Sequence, residues 1–109
     1  MDLENLPLGK KIKYPKKYDP ALLVGISREE ARARSGIKLK PSSFYGLDSW
    51  TAYELSWLDV KGVPKNGILY ASYPSKSKNF IESKSFKLYL NSLNNKKFNS
   101  RDQLKELLT

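Results

Sequence analysis

The sequence contains no cysteine and no histidine. Without cysteine it offers no disulfide, no thiolate nucleophile and no cysteine-based zinc site. Without histidine it has no imidazole base, so a Ser-His-Asp triad cannot form within this chain. Carboxylates alone can bind a metal, but the acidic residues show no spacing typical of such a site, and we predict no metal site. Any chemistry must use Lys, Tyr, Ser, Asp or Glu, or be completed by another chain.

Long hydrophobic runs are also missing. The longest apolar runs have about four or five residues, whereas a membrane-spanning helix needs about 20. The first residues, Met1 to Asn5, do not form the basic and then apolar sequence of a signal peptide. The sequence therefore predicts a cytoplasmic protein with no membrane partner.

What is present suits one small folded domain. Of the 109 residues, 39% are hydrophobic and 12% are aromatic, which is enough for a modest core. The net charge is +9, from 20 basic and 11 acidic side chains. This charge is spread, since residues 1–40 hold ten basic and five acidic residues, and residues 41–109 hold ten and six.

One dense basic patch lies near the N-terminus. Side chains of this kind can contact phosphates, but the segment is also rich in proline and lacks periodicity. We therefore interpret residues 1–18 as a solvated basic arm, and we expect no direct binding of nucleic acid. The patch consists of Lys10, Lys11, Lys13, Lys16 and Lys17.

Local signals predict the secondary structure. A capping box, Ser27 to Glu30, predicts a short surface helix that ends near Ser35, with Gly36 at its C′ position. Residues 49–60 alternate as a strand does, with Tyr53, Leu55 and Trp57 on the core face. The opposite face of this strand is predicted to carry Ala52, Glu54 and Ser56.

A second strand is predicted over residues 67–73, after a turn rich in Gly and Pro, so the two strands form an antiparallel hairpin. A polar loop follows over residues 74–79. Two helices come next, one opening at Ser83–Ser85 and the other at a second capping box, Ser100 to Gln103. The first helix is expected to bury the stripe Phe86, Tyr89 or Leu90, and Leu93. The predicted fold class is α+β, an antiparallel β-hairpin followed by helices packed on the sheet.

The residues that could carry chemistry lie where the first of these helices begins. Free N–H groups and the positive end of the helix dipole make that end a plausible anion site. Ser83 and Ser85 add hydroxyls there, and Lys84 adds a positive charge. Glu82 could accept N–H donors from a base or amide ligand. A serine N-cap on an ordinary core helix explains the same pattern without a ligand, so the residues alone leave both interpretations open.

Residues 81–92, Ile-Glu-Ser-Lys-Ser-Phe-Lys-Leu-Tyr-Leu-Asn-Ser, resemble the signature of the nitrile reductases of queuosine biosynthesis. These are NADPH-dependent 7-cyano-7-deazaguanine reductases. Residues 53–58, 44–50 and 18–23 are similar to further segments of that family. The similar segments occur in the family's order along about 80 residues of the chain.

The resemblance implies a tunnelling fold, in which modules of the order β-β-α-α-β-β assemble around a shared tunnel. Long members of the family have two modules, and this chain is similar to the N-terminal one. We therefore expect residues 19–109 to form an N-terminal tunnelling-fold module that lacks its second strand pair. The implied function is to contribute substrate and NADPH contacts when 7-cyano-7-deazaguanine is reduced to its aminomethyl product, a step toward modified tRNA.

The resemblance also implies residue roles. Ile81, Glu82 and Ser83 would line the pocket for the deazaguanine nitrile, and Ser83 and Lys84 would contact NADPH. In the family a cysteine forms a thioimide with the nitrile, an aspartate donates a proton, and both belong to the C-terminal module.

This sequence has no cysteine, and we assign it no catalytic residue. Its Asp48, Asp59 and Asp102 match no catalytic motif of the family. The expected partner is a C-terminal catalytic module or another copy, and the isolated chain is expected to be inactive. The alternative hypothesis is a non-catalytic basic module that binds tRNA or a protein.

Overall fold

The computed structural model describes residues 15–37 and 45–109. Most of the predicted basic arm, including Lys10, Lys11 and Lys13, lies outside the described residues, and so does Phe44. The described residues form an α+β fold, as predicted. Their elements are β1 (Gly25–Ser27), α1 (Arg28–Arg34), β2 (Leu47–Leu58), β3 (Pro64–Pro74), β4 (Asn79–Ile81), α2 (Ser83–Asn91) and α3 (Arg101–Leu108), with a 3-10 turn at Pro20–Leu22.

The strands form two antiparallel pairs. β2 and β3 make the predicted hairpin, which is longer than expected because it extends from Leu47 to Pro74. β1 pairs with β4, and Gly25 lies opposite Ile81. This second pair was not predicted, since we expected residues 74–79 to form a loop. A strand of three residues is too short to show alternation, and its partner lies far away in the sequence.

The register of the hairpin shifts by one residue between Ala52 and Leu55. An extra residue in one strand moves the following side chains to the other face. Ala52 therefore packs toward the core together with Leu55 and Trp57, while Tyr53 is 75% exposed. The predictions that Tyr53 shares the core face and that Ala52 faces away from it are both wrong for this reason.

The core lies between the inner face of the hairpin and α2. The stripe predicted for this helix is confirmed, because Phe86, Tyr89, Leu90 and Leu93 are all buried. Residues from β2, α3 and the segment before α3 complete the cluster. These are Leu55, Trp57, Phe98 and Leu104.

The hydrogen-bonding signals at the helix ends are confirmed. The Ser27 hydroxyl accepts the N–H of Glu30 at 3.3 Å, and the Ser100 hydroxyl accepts that of Gln103 at 3.2 Å. At the end of α1, Gly36 has a φ of +76° and donates to Ala33, while Ile37 donates to Arg32. Together these two bonds form a Schellman motif, which needs the left-handed conformation that glycine adopts readily.

Residues 18–24 lie along α2 and are held there by buried serines. The backbone N–H of Val24 donates to the Ser85 hydroxyl at 3.0 Å, and that of Asp19 donates to the Ser92 hydroxyl at 3.2 Å. The two serines are seven residues apart, so they lie on the same helix face, two turns from each other. Both are at most 1% exposed. The segment therefore supplies backbone donors to two hydroxyls that themselves donate to helix carbonyls, Ser85 to Glu82 and Ser92 to Tyr89.

The first prediction concerns this attachment. Ser85→Ala leaves the N–H of Val24 without its acceptor at a partly buried position, and we expect a loss of about 1–3 kcal/mol in the free energy of unfolding. Urea denaturation measures it. Ser83→Ala is the matched control, because Ser83 lies in the same helix and is exposed. Equal stability of the two variants would contradict the role given to Ser85.

The second prediction concerns the pair of buried Tyr89 and half-buried Tyr18, whose hydroxyls are 3.2 Å apart. Burial, and then the hydrogen bond with Tyr18, raise the pKa of Tyr89 above its ordinary value. The unfolded chain therefore loses this proton at lower pH than the folded one. Stability should fall above about pH 10, by at most about 1.4 kcal/mol per pH unit from this group.

Urea denaturation at a series of alkaline pH values tests this dependence. Tyr89→Phe should flatten the slope, because it removes the group that titrates differently in the two states. Tyr53→Phe is the control, since Tyr53 is largely exposed. A slope that survives in Tyr89→Phe would contradict the assignment.

Candidate functional site

The four residues proposed from the sequence lie together at the junction of β4 and α2. Ile81 is the last residue of β4, Glu82 is the N-cap of α2, and Ser83 and Lys84 begin its first turn. Ser83 is exposed, whereas Ile81 and Lys84 are half-buried. The junction therefore brings a carboxylate, a hydroxyl and an ammonium group to one end of a core helix.

The cap of α2 is Glu82, where the sequence suggested a serine. Its carboxylate accepts the N–H of Ser85 at 2.6 Å and the N–H of Lys84 at 3.2 Å. Glu82 is 2% exposed. The free N–H groups expected to attract an anion are thus partly satisfied by a carboxylate of the chain itself. Ser85 cannot replace it, because its hydroxyl is bonded to Val24 and to the carbonyl of Glu82.

A cleft of about 280 Å³ opens beside this junction, between β2 and α2. One wall belongs to β2, and the other is a stripe of α2 that begins at Ser83. Of the four candidate residues, Ser83 is the one that lines the cleft. The lining residues are Trp50, Thr51, Ala52, Glu54, Leu55, Ser83, Phe86, Lys87, Leu90 and Asn91.

Sequence reasoning missed most of these lining residues. Trp50, near the beginning of β2, lies in the cleft. Lys87 and Asn91 were not singled out. A signal for them existed, because Ser83, Lys87 and Asn91 follow one another at intervals of four and so share a helix face. The wall formed by β2 could not be predicted in this way, because the register shift determines which side chains of β2 face the cleft.

The aspartates that matched no catalytic motif lie where a carboxylate stabilises the fold. Asp48 forms a salt bridge with Arg28 at 2.6 Å. Asp59 accepts the N–H groups of Lys61 and Val63, both at 2.9 Å, inside the turn between β2 and β3. Asp102 lies in the first turn of α3, where a negative charge favours the helix.

Two features are absent from the described residues, 15–37 and 45–109. No group of three or more His, Cys, Asp or Glu side chains there is arranged to hold a metal ion. None of the helices in this part of the chain has the length and apolar character that crossing a membrane requires.

Comparison with known proteins gives consistent matches. A family model described as "Nitrile reductase, 7-cyano-7-deazaguanine-reductase N-term" matches residues 14–109. The NADPH-dependent 7-cyano-7-deazaguanine reductase of Bordetella pertussis is 46% identical over 109 residues, which cover 99% of this chain and 39% of the relative. The enzyme of that name from Stenotrophomonas maltophilia is 48% identical over 101 residues, or 93% of this chain and 37% of the relative.

A third relative, from Cupriavidus necator, carries the same name and is 47% identical over 106 residues. Those residues cover 96% of this chain and 38% of the relative. The chain therefore spans less than two-fifths of the length of these curated relatives.

The third prediction concerns the Glu82 cap. Glu82→Gln replaces one acceptor oxygen by an NH₂ group that faces a backbone donor, so we expect a loss of about 1–2 kcal/mol in the free energy of unfolding. Urea denaturation at neutral pH measures it. Glu106→Gln is the control, because Glu106 is an exposed helix residue. A Glu82→Gln variant as stable as the parent would show that the carboxylate is not needed for capping.

Proposed function

This chain belongs to the nitrile reductase family of 7-cyano-7-deazaguanine reductases, and we propose that it acts as the N-terminal module of such an enzyme. In this proposal it contributes contacts to the nitrile substrate and to NADPH during reduction of 7-cyano-7-deazaguanine to 7-aminomethyl-7-deazaguanine. The product would serve the biosynthesis of queuosine in tRNA. The supporting comparisons are the family match and the similarity to reductases over nearly the whole chain.

The observation that carries the proposal is the junction of β4 and α2 beside a cleft with aromatic and polar walls. Small-molecule sites are mostly apolar concavities with a few convergent polar groups. Trp50 and Phe86 supply flat aromatic surface in this cleft, and Ser83 supplies a hydroxyl at its end. This combination suits a small planar base.

We assign substrate contacts to Ile81, Glu82 and Ser83. An ionised carboxylate offers about four lone-pair positions, and the hydrogen bonds of Glu82 to its own helix use two of them. The remaining positions could accept the N–H groups of a guanine-like edge once the ligand displaces the covering residues, because Glu82 is 2% exposed and does not line the cleft itself. Ser83 is exposed and can donate or accept a hydrogen bond.

We assign cofactor contacts to Ser83 and Lys84. The donor set at this helix end suits phosphate oxygens, because it combines a hydroxyl with the ammonium groups of Lys84 and, one turn on, Lys87. NADPH, when bound, supplies the hydride in the proposed reaction. The role of this chain is to hold and orient the cofactor.

The nucleophile of the proposed reaction must come from outside this sequence, because the chain has no cysteine. In the family the thioimide-forming cysteine and its aspartate belong to the C-terminal module. We propose that such a module, or another copy that carries one, completes the site. The greater length of the relatives supports the assignment of the nucleophile to a further module.

The experiment that tests the proposal uses the complete gene product. It is mixed with 7-cyano-7-deazaguanine and NADPH, and NADPH oxidation and aminomethyl product are both measured. Nitrile-dependent oxidation with two NADPH consumed per product supports the proposal. Absence of turnover, together with binding of tRNA that weakens as salt rises, would replace it with the basic binding module.

The fourth prediction concerns Lys84. If its ammonium group contacts a phosphate, Lys84→Ala should weaken NADPH binding by about 10- to 100-fold, as expected for a hydrogen bond to a charged group. Titration of the complete gene product with NADPH measures this, and urea denaturation is run alongside. Lys105→Ala, an exposed lysine on α3, is the matched control. Unchanged NADPH affinity with lowered stability would make Lys84 purely structural.

A further inference from the structure

The hydroxyl of Tyr73 joins the two β-sheets. Tyr73 lies near the end of β3, is half-buried and faces the core side of the hairpin. Its oxygen accepts the indole N–H of Trp50 at 3.1 Å and the backbone N–H of Ile81 at 3.0 Å. One donor belongs to the hairpin, and the other belongs to the β1–β4 pair. A single oxygen therefore links two elements that share no strand, in addition to the salt bridge between Arg28 and Asp48.

The first of these donors holds a wall of the cleft. The ring of Trp50 meets Phe86 of α2 edge-on, with 5.3 Å between centroids and 68° between planes. Both rings line the cleft. An indole anchored at its N–H keeps one orientation, whereas an unanchored indole at a half-open position can turn about its side-chain bonds. The bond to Tyr73 thus sets the orientation in which this pair of rings, the Trp50 wall, faces a ligand.

The second donor belongs to the candidate site itself. Successive N–H groups of a strand point to opposite edges, and the N–H of Glu82 donates to Val24 at 2.9 Å on the β1 side. The N–H of Ile81 therefore points away from β1, toward the hairpin, where the hydroxyl of Tyr73 accepts it. This bond places the backbone directly before Glu82 and Ser83.

We propose that Tyr73 is a positioning residue that holds the Trp50 wall and the 81–84 junction at a fixed distance. The inference rests on the proposed function, since it deepens the role of the same cleft. Tyr73 touches no ligand in this proposal and acts through its two donors. The hydroxyl is the group that matters, because the ring alone can accept neither bond with comparable strength.

The test is Tyr73→Phe in the complete gene product, which removes the hydroxyl and keeps the ring. We expect the Michaelis constant for the nitrile to rise by about 5- to 30-fold, the range that loss of one or two hydrogen bonds gives. The turnover number should change less, because no reacting group is removed. Hydrogen exchange of the Ile81 amide and of the Trp50 indole should accelerate about 10-fold or more. Tyr70→Phe, on the exposed face of the same strand, is the control and should leave all of these unchanged.

A second variant, Trp50→Phe, removes the indole donor and separates positioning from general loss of stability. If Tyr73 acts on the Trp50 wall through the indole of Trp50, the two effects should not multiply. The double variant, Tyr73→Phe with Trp50→Phe, should then bind the nitrile no more weakly than the single variant that binds it less tightly. Effects that multiply would overturn that route. This comparison also applies if Tyr73→Phe is less stable, because the nitrile affinities of the single and double variants are compared at the same folded fraction.

The outcomes distinguish the positioning role of Tyr73 from the proposed function of the chain. If the parent protein turns over the nitrile and Tyr73→Phe has an unchanged Michaelis constant, the positioning role is overturned and the proposed function stands. If the parent neither binds nor reduces the nitrile, the proposed function is overturned and the positioning role falls with it. Faster exchange of Ile81 and Trp50 together with a raised Michaelis constant supports both.

Discussion

The fold depends on how the buried beginning of α2 satisfies its polar groups. Glu82 donates its N–H to Val24, Val24 donates its own N–H to Ser85, and Ser85 donates its hydroxyl to the carbonyl of Glu82. The carboxylate of Glu82 in turn accepts the backbone N–H of Ser85. Because an unpaired buried group costs about 1–3 kcal/mol, the segment before β1 and the start of α2 cannot move separately. The bonds that stabilise the fold are thus the bonds that place Glu82.

The extra residue in β2 has a comparable effect on the cleft. Trp50 and Trp57 are seven positions apart, and in a regular strand an odd spacing puts two side chains on opposite faces. The register shift between Ala52 and Leu55 lets both indoles face the helices. It also leaves Tyr53 on the outer surface. A strand without the shift could bury one tryptophan or line the cleft with the other, but it could not do both.

The features that the sequence predicted are those with local causes. Capping at Ser27 and Ser100 needs only a side-chain oxygen and an N–H three residues later, and the buried stripe of α2 needs only helical periodicity. The register shift, the β1–β4 pair and the choice of Glu82 as cap depend on distant residues. Ser85, for example, is committed to Val24, 61 positions earlier. Glu82, Ser83 and Lys84 were located from the predicted start of α2, and the family resemblance added Ile81 and the residue roles, whereas the Trp50 wall needed the folded hairpin.

The charges at the β4–α2 junction also suggest how two different ligands could bind there to separate groups. The carboxylate of Glu82 lies inside, bonded to the backbone, whereas Ser83 and Lys87 are exposed and Lys84 is half-buried. Since Glu82 already caps the helix, an anion gains little from the dipole and must be attracted mainly by lysine charge. In the proposed function, a neutral base rich in N–H groups would have the opposite preference and would bind the carboxylate. In the proposed function, substrate and cofactor would therefore meet one helix end without competing for the same atoms.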